Sequence, residues 1–228
     1  MASLLISMML FAMPCLAADN VRVIEVSGTG EARATPDIAH LALEVETHAP
    51  TAEECSSKNA ALAQKVVQQL KDKLAGKGTV LTGDYSLNPE YNEPGPHQRP
   101  TITGYTAQNT ITVETTELSQ LGSLIDGAIS SGANRINYLN FGLRDDTKAR
   151  QDAIANASKD AQAQAQALAT SLNVKLKRVV KATTIPERAP IMPMARVGMM
   201  SAGMNAPTPI EASQIVVSAT VSLTFEIE

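Results

Sequence analysis

Alanine recurs at every fourth position along one stretch of this chain, at Ala149, Ala153, Ala157, Ala161 and Ala165, and the series runs on into Leu168 and Leu172. That spacing places all seven side chains along one face of a helix, so the pattern predicts a helix over residues 145–172. At ~1.5 Å per residue such a helix is roughly 40 Å long. A stripe built mostly of the smallest side chain lets another element come close to the helix backbone, and the rest of the chain has to supply that element.

The other segments read mainly as strands. Residues 21–34 are strand-like through Val21, Val23 and Val26, interrupted by Gly28-Thr29-Gly30, which mark a bulge or a site of close backbone approach. After Pro36, Leu41, Leu43 and Val45 point one way while His40, Ala42, Glu44, Glu46 and His48 point the other. Period-two alternation of this kind predicts a half-buried antiparallel strand, with Thr35-Pro36-Asp37 as a hairpin turn before it. Thr51 with Glu54 three residues on has capping-box spacing, predicting a helix up to Gly76 whose stripe is Cys55, Leu62, Val66, Leu70 and Leu74.

Strands over 81–91 and 101–116 follow. In the second, Tyr105, Ala107, Ile111 and Val113 share one face, and Thr106, Gln108, Thr110, Thr112 and Glu114 share the other. A helix over 117–133, a strand over 136–143, the alanine-striped helix and strands over 176–184 and 214–227 complete the order β-β-α-β-β-α-β-α-β-β. The expected class is α+β, a mainly antiparallel β-sheet with helices packed on one side.

Composition narrows the function. A chain of 228 residues with 44% hydrophobic residues and a net charge of −4 folds as a globule rather than staying disordered. Mild acidity, with four Tyr, three Phe and no Trp, argues against a nucleic-acid partner. Residues 1–18 carry no charged side chain, run apolar through Leu4 to Phe11, break at Pro14 and place small residues at Cys15 and Ala17. This is the form of a cleaved signal peptide over 1–17, leaving 18–228 as one exported domain in the periplasm or cell envelope. Cleavage removes Cys15, leaves Cys55 as the only thiol and excludes an internal disulfide. No later apolar stretch is long enough for a spanning helix, so the expected product is soluble or peripheral to the envelope.

The sequence holds no residue pattern that points to a catalytic, cofactor-binding or metal-binding role. Gly28-Thr29-Gly30 lacks the third glycine and the following helix of a dinucleotide loop, and Ser27 is not in a nucleophile elbow. His40 and His48 share a strand face but lie ~26 Å apart at strand rise, and His97 sits in a separate proline-rich loop. Glu44 and Glu46, ~7 Å apart, have the spacing of paired carboxylates and also that of ordinary outward-facing acids. Cys55, on a helix stripe, reads as a small hydrophobe. The expectation is a protein that is not an enzyme and holds no cofactor.

The nine Met divide sharply. Four lie in the leader, and Met192, Met194, Met199, Met200 and Met204 crowd into a Pro-rich loop over 185–209. Flexible thioether side chains make adaptable apolar contacts, so these five are the candidate oligomer or partner contact. The alternative is Cu(I) handling, since thioethers are soft ligands.

The segments Val26-Ser27-Gly28-Thr29-Gly30-Glu31-Ala32, Pro36-Asp37-Ile38-Ala39, Gly104-Tyr105, Leu124-Ile125-Asp126-Gly127-Ala128, the alanine-rich helix and the Pro/Met loop, in this order, resemble the SIMPL-domain family and its YggE-like secreted bacterial members. The resemblance implies a periplasmic or envelope-associated homo-oligomer, ring-like in some members. It also implies a link to defence against oxidative stress, with no catalytic residue to carry over.

Overall fold

A computed structural model of the chain describes residues 21–93, 95, 99–185 and 208–228. The elements are β1 (Val23–Ala34), β2 (Ile38–Ala49), α1 (Ala52–Leu74), β3 (Gly78–Tyr91), β4 (Ile102–Thr115), α2 (Leu121–Ser131) after a single 3-10 turn at Leu118–Gln120, β5 (Arg135–Gly142), α3 (Thr147–Ser171), β6 (Leu176–Ile185) and β7 (Ile215–Ile227). Their order and the α+β class match the sequence-based expectation. The strands divide over two antiparallel sheets, β3-β4-β2-β5 and β1-β7-β6.

That division overturns the expected hairpin at Thr35-Pro36-Asp37. β1 pairs with β7 over twelve residues, from Val23 opposite Glu226 to Ala34 opposite Ile215. β2 has β4 on one edge and β5 on the other, so it has no edge left for β1. Residues 35–37 instead cross between sheets. Asp37 fixes the crossing: its N–H donates to Gly142 O at 3.1 Å, and its carboxylate accepts from Arg144 N at 2.7 Å.

In the four-stranded half, α1 and α2 cover one sheet face. Thr51 caps α1 as its spacing predicts, its hydroxyl accepting from Glu54 N at 3.3 Å. Leu41, Leu43 and Val45 of β2 and Ile111 and Val113 of β4 meet Val66, Leu70 and Leu74 of α1 and Leu121 and Leu124 of α2. One position of the α1 stripe is polar. Asn59 is fully buried, and its amide donates to Val45 O at 2.8 Å and Ala107 O at 3.0 Å, tying the helix to adjacent strands.

The three-stranded half is built on closeness instead. Gly28 and Gly30 face α3, where a Cβ on Gly28 would fall inside contact distance of the Ala157 and Ala161 backbone, and one on Gly30 inside that of Ala153 and Ala157. The alanine stripe and the glycines are thus two sides of one contact. Asp160 and Asn156 of α3 also reach the outer edge of β1: Asp160 accepts from Thr29 N at 2.9 Å and Asn156 donates to Glu31 O at 2.8 Å. The buried line continues to Ala169, whereas Leu168 and Leu172, expected in the stripe, are exposed. The contact keeps its four-residue spacing to the end of the helix, which leaves both leucines beside it.

The halves are also joined where the last segment begins. Thr208 donates from its N–H at 3.2 Å and its hydroxyl at 2.7 Å to Asp126 of α2, and Ile210 packs on the larger core before the chain enters β7. The leader, His97 and the five methionines Met192, Met194, Met199, Met200 and Met204 lie outside the described residues. Among the described residues no helix is long and apolar enough to cross a membrane.

Candidate functional site

The face of the four-stranded sheet turned away from the helices carries the densest polar cluster. Antiparallel register assembles it: Glu46 stands opposite Gln108, His48 opposite Thr106, and Glu44 between Thr110 of β4 and Arg135 of β5. Glu90, near the end of β3, reaches the same place.

Glu44 and Glu46 are brought together here by one cation. Arg135 Nη1 lies 3.1 Å from Glu44 Oε1 and 3.2 Å from Glu46 Oε2. Asn137 donates to the second Glu44 oxygen at 3.0 Å, so a largely buried carboxylate has both oxygens satisfied. Gln108 donates to Glu46 at 2.8 Å. His48 joins two acids, with Nδ1 2.6 Å from Glu90 and Nε2 3.3 Å from Glu46, and Thr106 donates its hydroxyl to Glu90.

These contacts set the protonation states. The hydrogen bond from Gln108, with Arg135 and His48 adding to it, holds the Glu46 carboxyl below its ordinary value against the opposing effect of burial. Thr106 and then His48 do the same for Glu90. The bond to Glu90, followed by that to Glu46, raises His48. The Glu46 oxygens are engaged by Gln108 of β4, Arg135 of β5 and His48, so the cluster cross-links the strands of this sheet.

The remaining sequence candidates disperse. His40 lies 3.6 Å from Glu114 toward the other end of β2, apart from His48. A depression of about 270 Å³ beside it is lined by His40, Leu81, Thr112, Glu114 and Tyr138 and does not include Glu44 or Glu46. Cys55 is buried as a small core residue, its single thiol proton shared between Tyr105 O at 3.1 Å and Thr47 O at 3.2 Å from Sγ. No group of three or more His, Cys, Asp or Glu side chains among the described residues is placed to hold a metal. Glu90, Arg135 and Asn137 carry no sequence signal that places them here, because they reach the site from β3 and β5 through strand pairing alone.

The family model described as "SIMPL: Protein of unknown function (DUF541)" matches residues 24–225. The chain is 30% identical over 234 residues to the 26 kDa periplasmic immunogenic protein of Brucella melitensis biotype 1, covering 96% of this chain and 92% of that protein. It is 31% identical over 144 residues to the uncharacterized protein YggE of Escherichia coli K12, covering 61% of this chain and 57% of that one. YggE of Edwardsiella ictaluri is 32% identical over 155 residues, covering 61% of this chain and 59% of that one.

Proposed function

We propose, from the premise that this chain belongs to the SIMPL family, that it is an exported, non-catalytic protein of the periplasm or envelope that assembles as a homo-oligomer and supports defence against oxidative or envelope stress. The observation that carries the reading is similarity along nearly the whole chain to a protein named as periplasmic, which agrees with the leader-like run over residues 1–17. The polar cluster supports a non-catalytic role, because its carboxylates are engaged with Arg135, Gln108 and His48 rather than poised for proton transfer.

Fractionation tests the setting: the chain is recovered from the periplasm without residues 1–17, and recovery from the cytoplasm at full length overturns it. Light scattering of the exported protein tests assembly. A multiple of the chain mass is expected, and deletion of residues 192–204 lowers it. A monomeric mass at micromolar concentration ends the oligomer reading.

A second reading rests on the five methionines between 192 and 204: Cu(I) handling by thioether ligands. It requires stoichiometric Cu(I) binding under reducing conditions that is lost when all five become Leu.

A further inference from the structure

One end of the three-stranded sheet concentrates positive charge and exposed apolar side chains in a chain whose net charge is −4. Ile227 N donates to Arg22 O and Glu228 N to Lys175 O, so the approach to β1, the end of β7 and the turn from α3 into β6 meet there. Arg22, Lys175, Lys177, Arg178 and Lys181 are all exposed at or next to this end. Among the described residues the acids near them are Glu25, Glu226 and Glu228, with Glu226 held 2.8 Å from Arg178, so the described basic groups outnumber them.

Beside these charges stand apolar side chains that the fold leaves uncovered: Val21 just before β1 and Val23 at its start, Leu172 at the end of α3 and 61% exposed, and Val179 and Val180 on β6. Lysines on an edge strand serve to keep other strands from pairing with it. That role leaves the exposed valines and Leu172 unexplained, whereas basic groups interleaved with apolar ones suit an anionic, amphiphilic surface.

We propose that this end of the β1-β7-β6 sheet docks on the surface of an anionic phospholipid bilayer, with Lys175, Lys177, Arg178 and Lys181 facing the headgroups and Leu172 and Val21 at the acyl boundary. The inference deepens the envelope reading, on which it rests for its setting. Fractionation tests the setting and vesicle binding tests the surface, so the two fail separately.

The test is flotation of the exported protein with vesicles of phosphatidylethanolamine and phosphatidylglycerol, against vesicles of phosphatidylcholine. Binding to the anionic vesicles alone is expected, weakening as ionic strength rises from about 0.05 to 0.5 M. At about five-fold per basic residue, the triple variant Lys177→Gln, Arg178→Gln, Lys181→Gln loses affinity by about 100-fold. Leu172→Ser, at an exposed helix end, weakens binding without lowering the melting temperature, and Lys148→Gln at the far end of α3 leaves it unchanged. Absence of binding to anionic vesicles, equal binding to neutral ones, or an unchanged affinity in the triple variant overturns the proposal.

Discussion

The two halves of this molecule solve the same problem, a sheet covered by helix on one face, with opposite materials. In the four-stranded half, Leu43, Leu70 and Leu124 fill the space between layers, and stability comes from apolar area removed from water. In the three-stranded half, Gly28 and Gly30 of β1 lie against Ala153, Ala157 and Ala161 of α3, and backbones brought close enough for dense contact add to the apolar packing of Ile24, Val26, Leu223 and Phe225. Removing a side chain harms the first kind of packing, and adding one harms the second.

The largest expected effect is therefore Leu43→Ala, a truncation of a fully buried side chain that costs about 2–5 kcal/mol in denaturant unfolding. Hydrogen exchange on this variant sharpens the comparison: amides of β2, β4 and α1 lose protection while those of α3 keep it. Equal loss in both halves breaks it, because the molecule then unfolds as one unit.

Next is Ala157→Leu, an enlargement where a strand backbone already touches the helix, expected to cost about 1–3 kcal/mol or more. Unchanged stability in the Ala157→Leu variant refutes the close-approach account. Asn59→Ala follows at about 1–3 kcal/mol, because it strips donors from the buried carbonyls of Val45 and Ala107. A neutral result removes Asn59 from the ties between helix and sheet.

The smallest effect concerns the open face of the larger sheet and is a pH dependence. His48 is raised from 6.5, so its contribution is complete below that value and is lost as pH rises through the raised one. Glu46 and Glu90 are lowered from 4.5, so theirs is complete above that value and is lost as pH falls through the lowered ones. All three contributions are present together between about 4.5 and 6.5. His48→Gln should flatten the loss of stability above that window, read as melting temperature against pH. An NMR titration placing His48 at or below 6.5 contradicts the cluster.

Residues close in sequence determined much of this architecture. The alternation through Leu41, Leu43 and Val45, the Thr51 cap with Glu54 and the four-residue alanine spacing each reflect a local period, and β2, α1 and α3 stand where those periods place them. Leu168 and Leu172 show the limit of such reading, since a helical period marks a face only to within one position and contact with the sheet chose Ala169.

Tertiary structure alone decided which strands pair. Every strand edge offers the same N–H and C=O groups, so Val21 to Ala34 reads equally well as a hairpin with the next strand or as the partner of one at the far end of the chain. The outcome, Val23 opposite Glu226, follows from β2 having both edges taken and from the two glycines needing the alanine face of α3. The polar cluster has the same origin: Glu44 and Glu46 are visible as neighbours, but Arg135, Glu90 and Asn137 join them only through register. Local periodicity determined the elements, and competition for strand edges and close packing decided how they met.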